Sequence, residues 1–140
     1  MVYISKAVRQ RVAEAARYRC GYCLTPQRLS GAQMHVEHII PLAQGGASDE
    51  VNLWLACAWC NSFKGAQERA ADPQTGETVP MFNPRTQIWR DHFRWSEDGV
   101  EVIGLTPIGR ATVVTLQMNN EFIVVARRQW GVAGWHPPED

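Results

Sequence analysis

Apolar residues near the start of the chain recur at the spacing of one helix face. Ser5 stands before them as an N-cap residue, so the pattern predicts a helix over residues 6–18. The apolar positions of this stretch are Val8, Val12, Ala15 and Ala16, at i, i+4, i+7 and i+8. We therefore expect one side of the helix to be buried and its charged side chains to lie largely off that side.

Two short apolar runs follow, and each has the length of a strand. We expect strands at residues 35–40 and 53–56, joined by a loop that contains two adjacent glycines. A second helix is expected to begin at Trp59 or Cys60 and to end near Gly65. The order strand, loop, strand and helix is thus predicted within about thirty residues.

The C-terminal half shows a different pattern. Ser96–Gly99 is a turn signal between two alternating runs, which predicts a hairpin. Thr106 followed by proline predicts a helix that reaches about Met118, and Asn119 or Asn120 caps another that ends near 130–131. We expect an α+β fold in which this hairpin and these helices follow the first strands and helices.

These patterns divide the chain into three parts. Residues 1–68 are predicted to be a core domain, 69–84 a linker or surface loop, and 85–140 a Trp-rich extension packed on the core. The arginines and tryptophans of the extension are typical of a core or of a basic and aromatic surface, and its helices are equally suited to a dimer interface.

Composition narrows the class of protein. Of the 140 residues, 45% are hydrophobic, which is typical of a globular protein, and no apolar run has transmembrane length. The formal net charge is zero, but the first 31 residues carry six Lys and Arg side chains against Glu14. The N-terminus carries no signal-peptide pattern, so we expect a cytoplasmic protein that does not contact a membrane.

The chain has four cysteines, and they form two C-x-x-C pairs. Each pair presents two sulfurs to one ion, and two pairs complete the four-thiolate site that structural zinc prefers. Two disulfides are the alternative, which the absent signal peptide disfavours, and a redox dithiol explains only one pair. The predicted zinc ligands are Cys20, Cys23, Cys57 and Cys60.

The motifs between the two cysteine pairs carry a family resemblance. In order they are Cys20-x-x-Cys23, Glu37-His38-Ile39-Ile40-Pro41, Gly45-Gly46, Asn52-Leu53 and Cys57-x-x-Cys60-Asn61-x-x-Lys64. Over residues 18–66 the chain resembles the HNH endonucleases that have a zinc-bound ββα-metal core. The resemblance implies a metal-dependent endonuclease that hydrolyses DNA phosphodiester bonds and leaves a 5′-phosphate and a 3′-hydroxyl.

The resemblance also implies roles for individual residues. His38 is the general base, Asn52 the residue that orients its loop, and Glu37 and Asn61 the ligands of a catalytic ion. Glutamate replaces the usual aspartate and asparagine the usual histidine, so both ligands are oxygen donors and favour Mg²⁺ or Mn²⁺ over a second zinc. His35 lies two residues before Glu37 on the same strand face and is an alternative ligand.

DNA is the predicted partner. We expect Arg9, Arg17, Arg19 and Lys64 to contact phosphates, and a solvated helix surface is an equal alternative for each arginine. The rival function is a zinc-ribbon nucleic-acid-binding module that cuts nothing; a protein-interaction domain would explain only the aromatic residues. The sequence leaves open a monomer, a homodimer and a larger nuclease complex.

Overall fold

The computed structural model describes residues 3–139, which divide into two compact units. Unit 1 runs to Glu68 and includes the later segment Asn83–Thr86, whereas unit 2 comprises Arg69–Phe82 and the chain from Gln87 onward. Unit 1 therefore contains the predicted core domain together with a short segment from beyond the predicted linker. The predicted packing of residues 85–140 on the core stays a prediction.

The described part of unit 1 contains three α-helices, two 3-10 turns in the loop between the strands, and a two-stranded antiparallel sheet. The elements are α1 (Lys6–Ala15), α2 (Gln27–Ser30), β1 (His35–His38), β2 (Leu53–Ala56) and α3 (Ala58–Lys64). In the sheet, Glu37 lies opposite Trp54 and His38 lies opposite Leu53. The predicted succession of strand, loop, strand and helix is present.

Helix α1 is shorter than predicted. Its N-cap is Ser5, as expected, and the Ser5 hydroxyl accepts a hydrogen bond from the backbone N–H of Val8. The helix ends at Ala15 rather than residue 18, because Arg17 and Tyr18 have φ angles of 58° and 56°, which lie outside the right-handed helical region. The buried side of α1 contributes Val12 to a core cluster with Ile4 and Leu53.

The sheet of unit 1 presents two different faces. Val36 and His38 share the face of Leu53, and Val36 packs against the cluster that contains Val12. Glu37 lies on the opposite face with Trp54. Strand β1 ends at His38, two residues before the predicted end. The chain bends at residues 39–40, where the Asn52 side chain binds both backbone polar groups of Ile40.

Unit 2 consists of two short hairpins and three helices. They are β3 (Arg69–Ala71) paired with β4 (Thr78–Pro80), α4 (Trp89–His92), β5 (Phe93–Trp95) paired with β6 (Val102–Gly104), α5 (Pro107–Thr115) and α6 (Glu121–Val132). Thr106 caps α5 and Asn120 caps α6, each through its side-chain oxygen, as predicted. Sequence reasoning therefore located both long helices of this unit.

The stretch predicted as a linker or surface loop holds the first hairpin of unit 2. Ala70 and Val79 face inward, and Asp72 closes the hairpin by accepting hydrogen bonds from the N–H of Gln74 and the hydroxyl of Thr75. The Arg110 guanidinium binds the same carboxylate at 2.9 and 2.8 Å. Polar turn residues here terminate strands, so the segment is ordered structure and not a plain loop.

The fold class is α+β, which confirms the prediction for this part of the chain. Within residues 3–139, no helix is long and apolar enough to cross a membrane.

Candidate active site and zinc centre

The four cysteines come together from two separate places in unit 1. Cys20 and Cys23 lie in the turn between α1 and α2, and Cys57 and Cys60 lie at the start of α3. All four are buried, and their sulfurs lie within 4.8 Å of one another. The predicted metal centre is thus assembled in the fold.

The geometry of this cluster fits a tetrahedral zinc ion. Zn–S bonds of about 2.3 Å place tetrahedral sulfurs about 3.8 Å apart, and the sulfurs of Cys23 and Cys57 are 3.7 Å apart. The Cys57 sulfur accepts a hydrogen bond from the Cys60 N–H. Burial raises the pKa of the Cys20 thiol, so a cation is needed to stabilise the thiolate form.

The first cysteine turn is packed against the sheet. The N–H of Gly21 donates to the Leu55 carbonyl of β2 at 2.9 Å. A Cβ atom at Gly21 would collide with the indole of Trp54 and with Pro84. The metal centre and β2 are therefore held together by backbone contact as well as by the cysteines of α3.

His38 lies at the end of β1 and is half-buried. Its Nε2 is 3.0 Å from the hydroxyl oxygen of Ser48 in the loop that follows. Burial lowers the pKa of His38, and the positive charge of Lys64 lowers it further. A neutral imidazole at neutral pH is able to accept a proton, as a general base must.

Asn52 ties down the loop between the strands. Its Oδ1 accepts from the N–H of Ile40 at 2.9 Å, and its Nδ2 donates to the carbonyls of Ile40 at 3.0 Å and Ala47 at 2.8 Å. A Cβ atom at Gly46 would overlap the Ile40 carbonyl oxygen, so glycine is required where the loop passes. This arrangement supports the orienting role expected of Asn52.

Glu37 is buried and already has partners. The Tyr22 hydroxyl donates a short hydrogen bond to its Oε1, and the Lys64 ammonium lies 3.0 Å from its Oε2. Only 5% of the Glu37 side chain is exposed. Burial raises the pKa of Glu37, while the charge of Lys64 and the Tyr22 hydrogen bond oppose that rise.

Lys64 does not occupy the place expected for a phosphate contact. Its side chain is 2% exposed, and its ammonium also donates to the carbonyls of His38 and Ile39, each at 2.9 Å. Sequence reasoning gave Lys64 a phosphate contact, or a side chain that faces water, because it matches a lysine of the family motif. The pairing with Glu37 is a tertiary contact, and it removes Lys64 from solvent.

The remaining ligand candidates are Asn61 and His35. Asn61 is half-buried on α3, three residues before Lys64 and so on a neighbouring part of the same helix face. His35 is exposed at the start of β1. As a ligand set for Mg²⁺ or Mn²⁺, the residues fit incompletely, because the Glu37 carboxylate is engaged by an internal cation.

The three predicted phosphate-binding arginines differ in their surroundings. Arg9 is exposed on α1, with its Nε donating to the Ile4 carbonyl at 3.1 Å. Arg17 is exposed, whereas Arg19 is half-buried and its pKa is lowered by burial and by the charge of Arg17. Arg17 therefore presents its charge to solvent more fully than Arg19 does.

A groove of about 510 Å³ lies beside Arg17. It is bordered by the turn after α1 and the segment around α2, and its lining residues are apolar as well as polar. They include Arg17, Tyr18, Gln27, Arg28 and Gln33. Two arginines and an exposed tyrosine on one concave surface suit a phosphate backbone with a base nearby.

Sequence reasoning missed three residues of this region. Tyr22 lies between the paired cysteines and was assigned no role, Ser48 was assigned only to a loop, and Arg28 was counted only as one of several basic residues. The charge excess of the first 31 residues was a signal for Arg28. Nothing in local sequence marks Tyr22 or Ser48, because their partners are distant in the chain.

The comparison with family models agrees with this geometry. The family model described as HNH endonuclease matches residues 20–67. No curated protein and no solved structure matched the chain. The matched segment includes both cysteine pairs, β1, β2 and α3. The predicted resemblance is confirmed: the HNH endonuclease model matches this chain over nearly the same residues as the motifs named above.

Proposed function

We propose that unit 1 is an endonuclease that hydrolyses DNA phosphodiester bonds, with His38 as the general base. One observation carries the proposal. His38 lies at the end of β1, next to Ser48 and to a loop held by Asn52, within the segment that matches the HNH family.

The chemistry requires a water molecule to lose a proton as it attacks phosphorus. A half-buried imidazole with a lowered pKa is unprotonated at neutral pH, and Ser48 restricts its ring orientation. Removal of such a base lowers rates by about 10²–10⁴. His38 is therefore assigned the proton transfer, and Asn52 is a positioning residue.

Fewer residues are proposed to bind Mg²⁺ or Mn²⁺ than the sequence suggested, because Glu37 is paired with Lys64. Mg²⁺ or Mn²⁺ would neutralise charge that develops on the phosphate. Asn61 keeps its place in this proposal because its half-buried side-chain amide makes no hydrogen bond with the residues that the structure describes. His35, exposed at the start of the strand, stays a second candidate ligand. Zinc is assigned to the four-cysteine centre, where it supports the fold.

DNA is proposed as the substrate because of the positive charge of the arginines on this surface. A phosphodiester backbone is attracted to exposed arginines, and the groove beside Arg17 and Arg28 offers two of them near the zinc centre. Arg9 and Arg19 extend the basic surface by a smaller amount, because Arg9 bonds to a carbonyl and Arg19 is half-buried. Lys64 is not part of this interface.

The experiment is cleavage of supercoiled plasmid by the purified protein with and without Mg²⁺ or Mn²⁺. We expect conversion to open-circle or linear DNA that His38→Ala reduces by about 100-fold or more. Leu42→Ala is the matched control, because Leu42 is exposed on the loop after β1. Equal rates for wild type and His38→Ala would exclude the assignment of the base.

A second candidate function is a zinc-bound module that binds nucleic acid without cutting it. The four-cysteine centre and the groove suit this function equally, since neither needs His38. Plasmid that is bound but intact with either ion would favour it.

A further inference from the structure

A buried cluster of three side chains lies on the face of the sheet away from the α1 core. The carboxylate of Glu37 receives the Tyr22 hydroxyl at one oxygen and the Lys64 ammonium at the other. All three side chains are nearly inaccessible to solvent. A buried carboxylate costs free energy unless it is paired and hydrogen-bonded, and this one is both.

Each N–H donor of the Lys64 ammonium group has an acceptor. The group has three N–H donors, and three oxygens lie around it. These are Oε2 of Glu37 at 3.0 Å and the carbonyls of His38 and Ile39 at 2.9 Å each. The three oxygens form a site suited to a cation, and the Lys64 ammonium group occupies that site.

This arrangement conflicts with Glu37 as a ligand of a divalent ion. An ion bound to Glu37 would either displace a buried and satisfied ammonium or stand beside its positive charge. Apart from the four cysteines, residues 3–139 contain no group of three or more His, Cys, Asp and Glu side chains placed to share an ion. Glu37 is therefore not part of such a group.

We propose that Glu37 is a positioning residue whose partner is Lys64 and not a divalent ion. In this proposal the Tyr22–Glu37–Lys64 cluster fixes the orientation of His38. Only the last part of this inference, the effect of the cluster on His38, rests on the proposed nuclease function. The pairing of Glu37 with Lys64 is independent of any activity.

The link to His38 runs through the backbone. Lys64 holds the carbonyls of His38 and Ile39, while Asn52 holds the N–H of Ile39 through its carbonyl and both backbone polar groups of Ile40 through its amide. Three consecutive residues are thus fixed from two sides. Loss of Lys64 would free the carbonyl of the residue that carries the base.

The first part of the test is a double-mutant cycle by urea unfolding of the full chain. The variants are Glu37→Gln, Lys64→Met and the two combined, with Leu42→Ala as the control. We expect each single change to lower the unfolding midpoint and the combined change to recover most of the loss, because removal of one partner alone leaves a buried charge unpaired. Additive losses would overturn the pairing.

The second part measures Mn²⁺ binding by electron paramagnetic resonance of the free ion. Wild type and the combined variant, which keeps no carboxylate at position 37, are expected to bind Mn²⁺ with affinities equal within twofold, including no binding by either. A tenfold weaker affinity in the combined variant would show that Glu37 is a ligand. The combined variant serves here because its buried pair is neutral, so it remains usable if a single variant fails to fold.

The third part concerns His38. At saturating Mn²⁺, Lys64→Met is expected to lower the maximal rate of plasmid cleavage at least tenfold while the DNA dissociation constant stays within twofold. Weaker DNA binding with an unchanged maximal rate would mean that Lys64 contacts phosphate and would overturn the positioning role. If wild type cuts no plasmid, the proposed function fails, yet the first two parts still decide the pairing.

Discussion

The side-chain amide of Asn52 binds both backbone polar groups of Ile40. Oδ1 accepts from the Ile40 N–H at 2.9 Å, and Nδ2 donates to the Ile40 carbonyl at 3.0 Å. The chain just after His38 is thereby joined to the start of β2. The asparagine amide suits this position because it offers a donor and an acceptor side by side on a short side chain.

Asn52→Ala removes these bonds together with the bond to Ala47. We expect plasmid cleavage to fall by about 100-fold, because a small displacement of a reacting group has effects of that size, while stability falls by about 1 kcal/mol for each of the three hydrogen bonds lost. Cleavage rates and urea unfolding measure the two effects. Gln44→Ala is the control, since its side chain is exposed and makes one long bond to Ala66. Cleavage within twofold of wild type would argue against the orienting role.

Cys57→Ser removes one of the four sulfurs. Apparent zinc-binding free energies of about 10–16 kcal/mol contribute to folding in small zinc domains, so we expect less than about 0.1 zinc per chain and loss of cooperative unfolding of unit 1. Elemental analysis by mass spectrometry and circular dichroism measure the two effects. Ser62→Ala, at an exposed position of α3, should keep its zinc. A metal-free variant that unfolds cooperatively would contradict the structural role of the ion.

Arg17→Gln and Arg28→Gln test the groove. Each is expected to weaken DNA binding and to reduce the slope of log K against log salt by about 0.9 for duplex or about 0.7 for single strands. Fluorescence anisotropy over a series of salt concentrations gives both slopes. Arg11→Gln is a matched control, because the Arg11 guanidinium is paired with Glu50 at 2.8 Å. Unchanged slopes in the groove variants would place the DNA elsewhere.

Asp72 makes the stability of unit 2 depend on pH. The Arg110 guanidinium holds the pKa of this carboxyl well below its usual range. A lowered folded-state pKa stabilises the fold above the unfolded-state pKa of about 3.9, and this contribution is lost progressively as the pH falls from that value through the lower folded-state pKa. We therefore expect Asp72→Asn to lower the melting temperature at pH 7 and to approach wild type below about pH 4.

Thermal unfolding by circular dichroism at several pH values measures this difference. Asp98→Asn is the comparison, because the pKa of Asp98 is also lowered, but chiefly by the Ser96 hydroxyl and the Val100 N–H, with the charge of Arg128 as a smaller cause. A deficit of Asp72→Asn that is equal at pH 7 and pH 3 would show that the charge of Asp72 is irrelevant.

Much of the fold was predictable because its signals are local. Two C-x-x-C pairs specify a four-sulfur centre, and Ser5, Thr106 and Asn120 stand where their side chains cap helices. The separation of Glu37 and His38 onto two faces also follows from strand geometry. Each of these needs only neighbouring residues or fixed spacing.

The remainder depended on contacts between distant parts of the chain. A lysine on a short helix is usually solvated, and only the fold brings Lys64 to Glu37. The hairpin of β3 and β4 lies in the segment predicted as a linker or surface loop. Its strands were not predicted because the polar turn dominates a short segment, and Ala70 and Val79 are too few to show a strand period. The roles of Glu37 and Asn61 stay predictions that the experiments above address.

The return of Asn83–Thr86 to unit 1 has a consequence for dissection of the protein. The Arg85 guanidinium lies 5.0 Å above the Trp54 ring and donates to the Leu53 carbonyl of β2. A fragment that ends at Glu68 would expose that indole and leave the carbonyl without its donor. Because the segment 69–82 intervenes, no single proteolytic cut yields both units whole, and fragments that contain unit 1 are better made by shortening that hairpin than by truncation.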